Sequence, residues 1–332
     1  MTFGEVIGHA AAVHALRAAT ARPASAYLLY GPAGIGKRRL ADAFAARLLC
    51  TAPADEDACG TCAQCTRTRA GTHPDLLVVE RDPERRDVRI EQARELTRWL
   101  SLRSMMATRK VALLDGAHEL NPAGQNALLK TLEEPPGAAV IVLTATGVTH
   151  LLPTVRSRCQ QIRLDPVPPE AVAEVLCARG IDTEAARILA ARAGGSIGRA
   201  LALSGDGQDA LRARVLDVLA QLPDRRADDL CGLAAEAGRG ATESALEVAV
   251  AWYRDVLGLV LGGAASPLRN PDARDLVETA ADRLTPDAVL RALEAVCDTL
   301  AAISRNANRV LALETMLFDL RRLERAAAGR HE

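Results

Sequence analysis

Aromatic residues are scarce. Phe, Trp and Tyr make up 2% of 332 residues, too few for a surface that binds single strands by stacking bases on rings. Net charge is lacking too. Lys+Arg at 41 against Asp+Glu at 42 gives a formal charge of -1, which excludes a uniformly basic nucleic-acid binder and a charged disordered tail. Any contact with DNA must come from a local patch, and tight independent binding is not expected. No apolar run approaches the roughly 20 residues of a membrane span. Met1–Ala10 lacks a charged start followed by a long apolar core, so a cytoplasmic protein with no membrane contact is expected. Lysine is nearly absent, with Lys37, Lys110 and Lys130 alone among the 41 basic residues. A GC-rich coding bias, in keeping with the abundant alanine, explains this better than an arginine surface built to track phosphates.

What is present suffices for more than one core. The chain is 49% hydrophobic over 332 residues, and at about 150 residues per domain roughly two domains are expected. From Tyr27 to about Leu164, short apolar runs alternate with amphipathic stretches, the pattern of a parallel sheet covered by helices. The runs are Ala26–Tyr30, Leu76–Val79, Val111–Leu114, Val140–Leu143 and Gln160–Leu164. Helices are predicted at Lys37–Leu49, Ile90–Leu102 and Pro122–Leu132, the last stopped by Glu133-Glu134-Pro135-Pro136-Gly137. Beyond Pro166, Pro168 and Pro169 no strand is predicted, and helix-period segments continue with breaks near Gly180, Gly194-Gly195, Pro223, Gly262-Gly263 and Pro286. The fold class is therefore an α/β core followed by an all-α half. Within that half Glu170–Leu203 reads as a group of short helices, Ser204–Asp209 as a hinge and Ala326–Glu332 as a frayed end.

The strand ending at Tyr30 runs into Gly31-Pro32-Ala33-Gly34-Ile35-Gly36-Lys37-Arg38 and then a helix, which makes a P-loop with one defect. Gly31, Gly34 and Gly36 let backbone N–H groups wrap a phosphate at a helix N-terminus, and Lys37 would reach the β/γ-phosphates. The next position should carry a Ser or Thr hydroxyl for magnesium. Arg38 cannot ligate a cation, so magnesium is not expected and ATP or ADP binding stays an open question. The strand Val111–Leu114 ends in Asp115-Gly116-Ala117-His118. Asp115 can orient a metal or a water, but Gly116 offers no base where related ATPases carry a glutamate. Glu119, three residues on, is expected to project elsewhere. Thr144, at the next strand's end, stands where such folds place a γ-phosphate sensor.

The chain carries eight cysteines, and its length and intracellular character argue against a disulfide framework. Four of them cluster as Cys50-x8-Cys59-x2-Cys62-x2-Cys65, and four thiolates at this density suit one tetrahedral, structural Zn²⁺. An iron–sulfur cluster satisfies the same donors, and free thiols are the plain alternative. His73 could replace Cys50, although His73-Pro74-Asp75 reads better as a turn entering the next strand. Cys177, Cys231 and Cys297 read as core packing. Arg158, in Ser157-Arg158-Cys159, lies at an element end from which an arginine can reach a neighbouring subunit's nucleotide. An ordinary surface ion pair is the plainer reading of an arbitrary arginine.

Several of these features together resemble the bacterial DNA polymerase III clamp-loader subunits, a branch of the AAA+ ATPases, over at least Phe3–Leu203. They are the degenerate P-loop Gly31–Arg38, the cysteine spacing, His73-Pro74-Asp75, the run Asn126-Ala127-Leu128-Leu129-Lys130-Thr131-Leu132-Glu133-Glu134-Pro135-Pro136, and Ser157-Arg158-Cys159. In that family the motor subunits, gamma and tau, carry an intact P-loop, an Asp-Glu pair and an arginine finger. The delta-prime branch keeps the fold, the zinc module and the finger on a decayed nucleotide site, and Arg38, Gly116 and Arg158 resemble that branch. The lid arginine that motors carry in Gly-Ser-x-Arg is displaced here, because Gly195-Ser196-Ile197-Gly198 precedes Arg199, about 100° further round a helix.

The resemblance implies an AAA+ core over 1–165 with a zinc module at 50–65, a helical lid over 166–205 and a helical collar domain over 206–332. The apolar stripes Val289–Ile303 and Val310–Leu323 fit either a collar interface or an ordinary core. It further implies a non-catalytic, nucleoid- or replisome-associated member of the polymerase holoenzyme, partnered by gamma/tau and delta subunits. Such a member meets the sliding clamp and primer–template DNA through the complex and lends Arg158 to an adjacent ATPase site. Two alternatives stand beside it: a motor-type ATPase using Lys37, Asp115 and another base, and a stand-alone DNA-binding protein. Arg103, Arg109 and Lys130 are candidate DNA contacts only as basic residues near core helices.

Overall fold

Each of the five apolar runs forms a strand, and all pair in parallel: β1 (Ala26–Tyr30), β2 (Leu76–Val79), β3 (Val111–Leu114), β4 (Val140–Ala145) and β5 (Gln160–Arg163), in the order β2-β3-β4-β1-β5. The structure is a computed structural model that describes residues 1–81, 88–205, 208–240 and 242–328. β3 and β4 are buried at every position, as strands covered on both faces must be. The two-residue period sorts their side chains. Tyr27, Leu29, Val111, Leu113, Val140 and Val142 meet Leu16 of α1 (Ala10–Ala19) and Leu40 and Phe44 of α2 (Lys37–Leu49). In a core with few rings, Tyr27 and Phe44 stand edge to face with centroids 4.9 Å apart. A short helix α3 (Ala63–Arg69) follows the cysteine cluster. On the other sheet face Leu28, Ala112, Leu114, Ile141 and Leu143 pack with Leu96 and Leu100 of α4 (Ile90–Leu100) and Leu128 and Leu132 of α5 (Pro122–Glu133). A single turn of helix, α6 (Pro153–Arg156), leads into β5.

No strand follows β5 among the described residues. Helices α7 (Pro169–Cys177), α8 (Thr183–Ala193) and α9 (Ile197–Leu203) come first. After them run α10 (Gln208–Ala220), α11 (Ala227–Ala237), α12 (Thr242–Gly262), α13 (Arg274–Arg283), α14 (Pro286–Ser304) and α15 (Arg309–Ala328). The sequence breaks fall at helix ends. Gly194 closes α8 in the left-handed conformation, and Pro286 opens α14 behind Thr285, whose hydroxyl accepts the Ala288 N–H at 3.3 Å. The chain divides into two units, Met1–Val175 with Gly195–Arg199, and Leu176–Gly194 with Ala200–Glu332. In the second, Trp252, Tyr253 and Val256 pack with Val289, Val296, Leu313 and Leu320, so the two apolar stripes serve this unit's own core. Part of the predicted hinge, 206–207, and of the frayed end, 329–332, lies outside the described residues.

One reading is corrected. Cys177, Cys231 and Cys297 are exposed rather than packed in cores. Each follows a buried residue, Leu176, Leu230 and Val296, and one step along a helix is about 100° of rotation. The apolar neighbour takes the core position and the cysteine turns to solvent.

Candidate functional site

β1 hands the chain to the loop 31–36, and α2 begins at Lys37. Gly34 and Gly36 hold φ of +71° and +109°, values that side chains resist. The loop's carbonyls are held by the chain itself. The Lys37 ammonium donates to Gly31 O at 2.8 Å and Pro32 O at 2.7 Å, the Gly198 N–H donates to Gly34 O at 2.9 Å, and His9 Nε2 lies 2.8 Å from Ile35 O. Glycine at 198 is what allows that approach, since a Cβ there would sit 3.0 Å from Gly34 O. Burial draws Lys37 below its ordinary pKa, against the opposing pull of Asp115.

Arg38 stands where a magnesium-binding hydroxyl is expected, and carboxylates surround its guanidinium. Nε donates to Asp42 Oδ1 and Oδ2 at 2.9 and 3.1 Å, while Nη1 bonds Glu80 and lies 3.6 Å from Asp115 Oδ2. Sequence reasoning missed both Asp42 and Glu80. The signals existed: Asp42 is one helical turn beyond Arg38, and Glu80 immediately follows β2. The other Asp115 oxygen accepts from the Thr144 hydroxyl, which itself accepts the Gly116 N–H at 3.0 Å. Thus Gly31, Gly34, Gly36, Lys37, Asp115 and Thr144 come together at the carboxyl ends of the strands, with a fixed cation against the aspartate.

The expectation for Glu119 is corrected by the local geometry. Ala117–Glu119 form a 3-10 turn, in which residues three apart eclipse. The carboxylate therefore returns over Gly116, with Oε2 placed 3.0 Å from where a Cβ on that glycine would stand. Burial raises Glu119 above the usual carboxylate range, against Arg81 at 3.6 Å.

Cys50 caps the far end of α2, about 20 Å from Lys37 at 1.5 Å of rise per residue. The sulfurs of Cys50, Cys59, Cys62 and Cys65 all lie within 4.8 Å of one another. Cys50 to Cys59 is 3.6 Å, and Cys50 to Cys62 and Cys59 to Cys65 are 4.0 Å. A tetrahedral ion bonded to four sulfurs at about 2.3 Å holds them about 3.8 Å apart, so this donor set fits zinc. Backbone N–H groups of Cys59, Cys62 and Cys65 reach the sulfurs of Cys50, Cys59 and Cys62 at 3.3 to 3.4 Å. Burial opposes ionisation of Cys62, yet N–H donors from Cys65 and Thr51 bring its thiol down to about 5. Burial pushes Cys65 up to about 12. His73 stays out of the cluster. Its Nδ1 accepts the Asp75 N–H at 3.0 Å in the predicted turn, and the buried Asp75 carboxylate accepts the N–H groups of Met105, Met106 and Ala107 at 2.7 to 2.8 Å. The module is anchored: Cys65 packs on Ala46 and Ala58, and Asp57 accepts the N–H groups of Phe3 and Gly4 at 2.9 and 3.0 Å.

Arg158 forms a separate cluster beyond α6. Its Nε donates to Glu133 Oε1 at 2.6 Å, Nη2 bonds the same oxygen, and Nη1 donates to Thr154 O at 2.8 Å. Arg103, Arg109 and Lys110 line a polar cavity of about 370 Å³ with Pro136 and Gly137, whereas Lys130 is exposed on α5.

A P-loop on β1, an aspartate after β3 and a polar end to β4, in a parallel sheet of this order, define a P-loop core of the AAA+ type. A family model described as DNA polymerase III, delta subunit, matches residues 9–168. The DNA polymerase III subunit delta' of Pseudomonas aeruginosa is 43% identical over 205 residues, which is 61% of this chain and 62% of that protein. The Escherichia coli subunit delta' is 32% identical over 275 residues, covering 82% of this chain and 80% of that protein. The Escherichia coli subunit tau is 33% identical over 250 residues, 71% of this chain and 38% of tau. The chain belongs to the DNA polymerase III delta-prime subunit family.

Proposed function

We propose that this chain is a non-catalytic subunit of a bacterial clamp loader, working with gamma/tau and delta subunits to place a sliding clamp on primer–template DNA. The reading rests above all on Arg38. Phosphoryl transfer needs a divalent cation bridging the β- and γ-oxygens and a group that orients the attacking nucleophile. Here a permanent guanidinium lies among Asp42, Glu80 and Asp115 where the metal's hydroxyl ligand belongs, and Gly116 supplies no base. Membership in a family whose named relatives are holoenzyme subunits supplies the setting. Arg158, two residues beyond the single-turn helix α6, is the group this chain offers to a neighbour's transferring phosphoryl group, where such fingers are worth about 10³–10⁵ in rate in GTPases. The Cys50, Cys59, Cys62 and Cys65 module holds zinc in a structural role, with four thiolates leaving no open position for chemistry.

One observation favours the alternative, a motor-type ATPase: the Glu119 carboxylate against Gly116 offers a base from an unexpected position. Turnover by the purified chain separates the readings. With ATP and magnesium, hydrolysis at background level and unchanged by Lys37→Ala is expected. Hydrolysis abolished by Lys37→Ala would make the chain a motor and overturn the proposal.

A further inference from the structure

The run Asn126–Pro136 buries Leu128 and Leu132 against the sheet, and its last turn carries two adjacent carboxylates that the core does not need. Its helix, α5, ends in Glu133 with Glu134 as C-cap. Two carboxylates there oppose the helix dipole, whose C-terminal end favours cations. A sequence that breaks a local rule at one place usually gains something at that place. The gain here is next to Arg158.

The guanidinium of Arg158 is held by two partners through three of its nitrogens. Nε and Nη2 both bond Glu133 Oε1, and Nη1 donates to the Thr154 carbonyl at 2.8 Å. Thr154 belongs to α6, so the fork is fixed between the end of one helix and the backbone of another. An arginine side chain carries much rotamer freedom, and its planar fork delivers its donors only when the plane is set. The pair is partly exposed, 31% for Arg158 and 48% for Glu133, and in water such pairs hold loosely. They tighten where a partner surface excludes water. Pro135 and Pro136 end the helix directly after Glu134 and so fix where the carboxylate stands.

We infer that Glu133 is the positioning residue for Arg158, setting the plane and reach of the guanidinium that this chain presents to an adjacent subunit. The inference rests on the proposed finger role of Arg158. Glu133 touches no nucleotide; it acts through the arginine. Its carboxylate charge matters, because charge-assisted bonds from Nε and Nη2 hold the guanidinium more strongly than a neutral amide oxygen that accepts the same two donors.

The test uses the complete clamp loader, reconstituted from this chain with gamma/tau and delta subunits, clamp and primed DNA, comparing Glu133→Gln, Glu133→Asp, Arg158→Ala and the Glu133→Gln/Arg158→Ala pair. Glu133→Gln should lower kcat for ATP toward the Arg158→Ala value at unchanged KM, with Tm and assembly as in wild type. Glu133→Asp, which keeps the charge, should recover part of the rate, and the double variant should be no slower than Arg158→Ala alone. If Arg158→Ala lowers kcat while Glu133→Gln keeps the wild-type rate, the positioning role is wrong and the finger survives. Losses from Glu133→Gln and Arg158→Ala that multiply in the double variant overturn it equally. If Arg158→Ala itself is silent, the underlying reading fails.

Discussion

Exchanging a hydroxyl for a guanidinium at residue 38 brings a permanent charge within 3.6 Å of Asp115, in the region where phosphoryl-transfer sites hold a divalent ion. Asp42 and Glu80 pair with that charge, and Asp115 shares it with Lys37. Arg38→Ala should therefore destabilise the protein by about 1–2 kcal/mol, reduced for the partial exposure of the cluster. Urea unfolding at low and moderate salt checks this, the loss being smaller at high salt. A second residue works in the opposite sense. Glu324 is buried in the helical unit, with the Tyr253 hydroxyl donating to Oε1 at 2.8 Å and Arg283 3.6 Å from Oε2. Burial raises its carboxyl to about 7 despite those partners. The native state thus keeps a proton that the unfolded chain releases near pH 4.3, so stability falls as pH rises from about 4.3 to 7, by roughly 4 kcal/mol. Glu324→Gln should raise the urea midpoint at pH 8 and bring a smaller gain at pH 5. An equal gain at both values would refute the assignment. At this scale the sequence was partly legible. The P-loop, Asp115 and the four clustered cysteines announced themselves by residue type and spacing. Glu119 did not, because its position depends on a 3-10 rather than an α turn. Cys177, Cys231 and Cys297 misled because residue type alone does not say which side of a helix is covered.

Among the elements, the buried parallel strands were the clearest, since strands covered on both faces read as unbroken apolar runs. β4 extends past Leu143 to Ala145, because the Thr144 hydroxyl finds partners in Asp115 and Gly116 and so can lie in the buried sheet. What the alternation of elements could not reveal is how loops are tied to one another. The cysteine module is fastened to the N-terminus through Asp57 and to α2 through Cys65. With the proposed zinc in the module, its removal by a chelator should therefore strip amide-exchange protection from 50–70 and also from Phe3 and Gly4, leaving the sheet protected. Retention of zinc should fall on acidification, as its thiolates take up protons. The contact of Gly198 with the P-loop gives another expectation at this scale. Gly198→Ala puts a Cβ 3.0 Å from Gly34 O, so the N–H bond to that carbonyl should lengthen or break. Faster exchange of the Gly198 amide at unchanged sheet protection would register it.

For the whole molecule, the α/β core followed by a helical half was readable from the change of hydrophobic period after Pro166–Pro169, and the delta-prime family is where the chain's relatives lie. The two-unit division of the described residues has its boundaries inside α7 and around α9, at places that no change of sequence pattern marks. Under the proposed function, this chain lends a group to a neighbour's reaction and turns over no ATP itself. ATP hydrolysis by the reconstituted clamp loader, with clamp and primed DNA, measured for wild type, Lys37→Ala and Arg158→Ala after assembly is verified for all three, tests it most directly. A lower rate for Arg158→Ala and a wild-type rate for Lys37→Ala are expected. A damaging Lys37→Ala beside a silent Arg158→Ala would mean that the nucleotide site of this chain turns over and that the account is wrong.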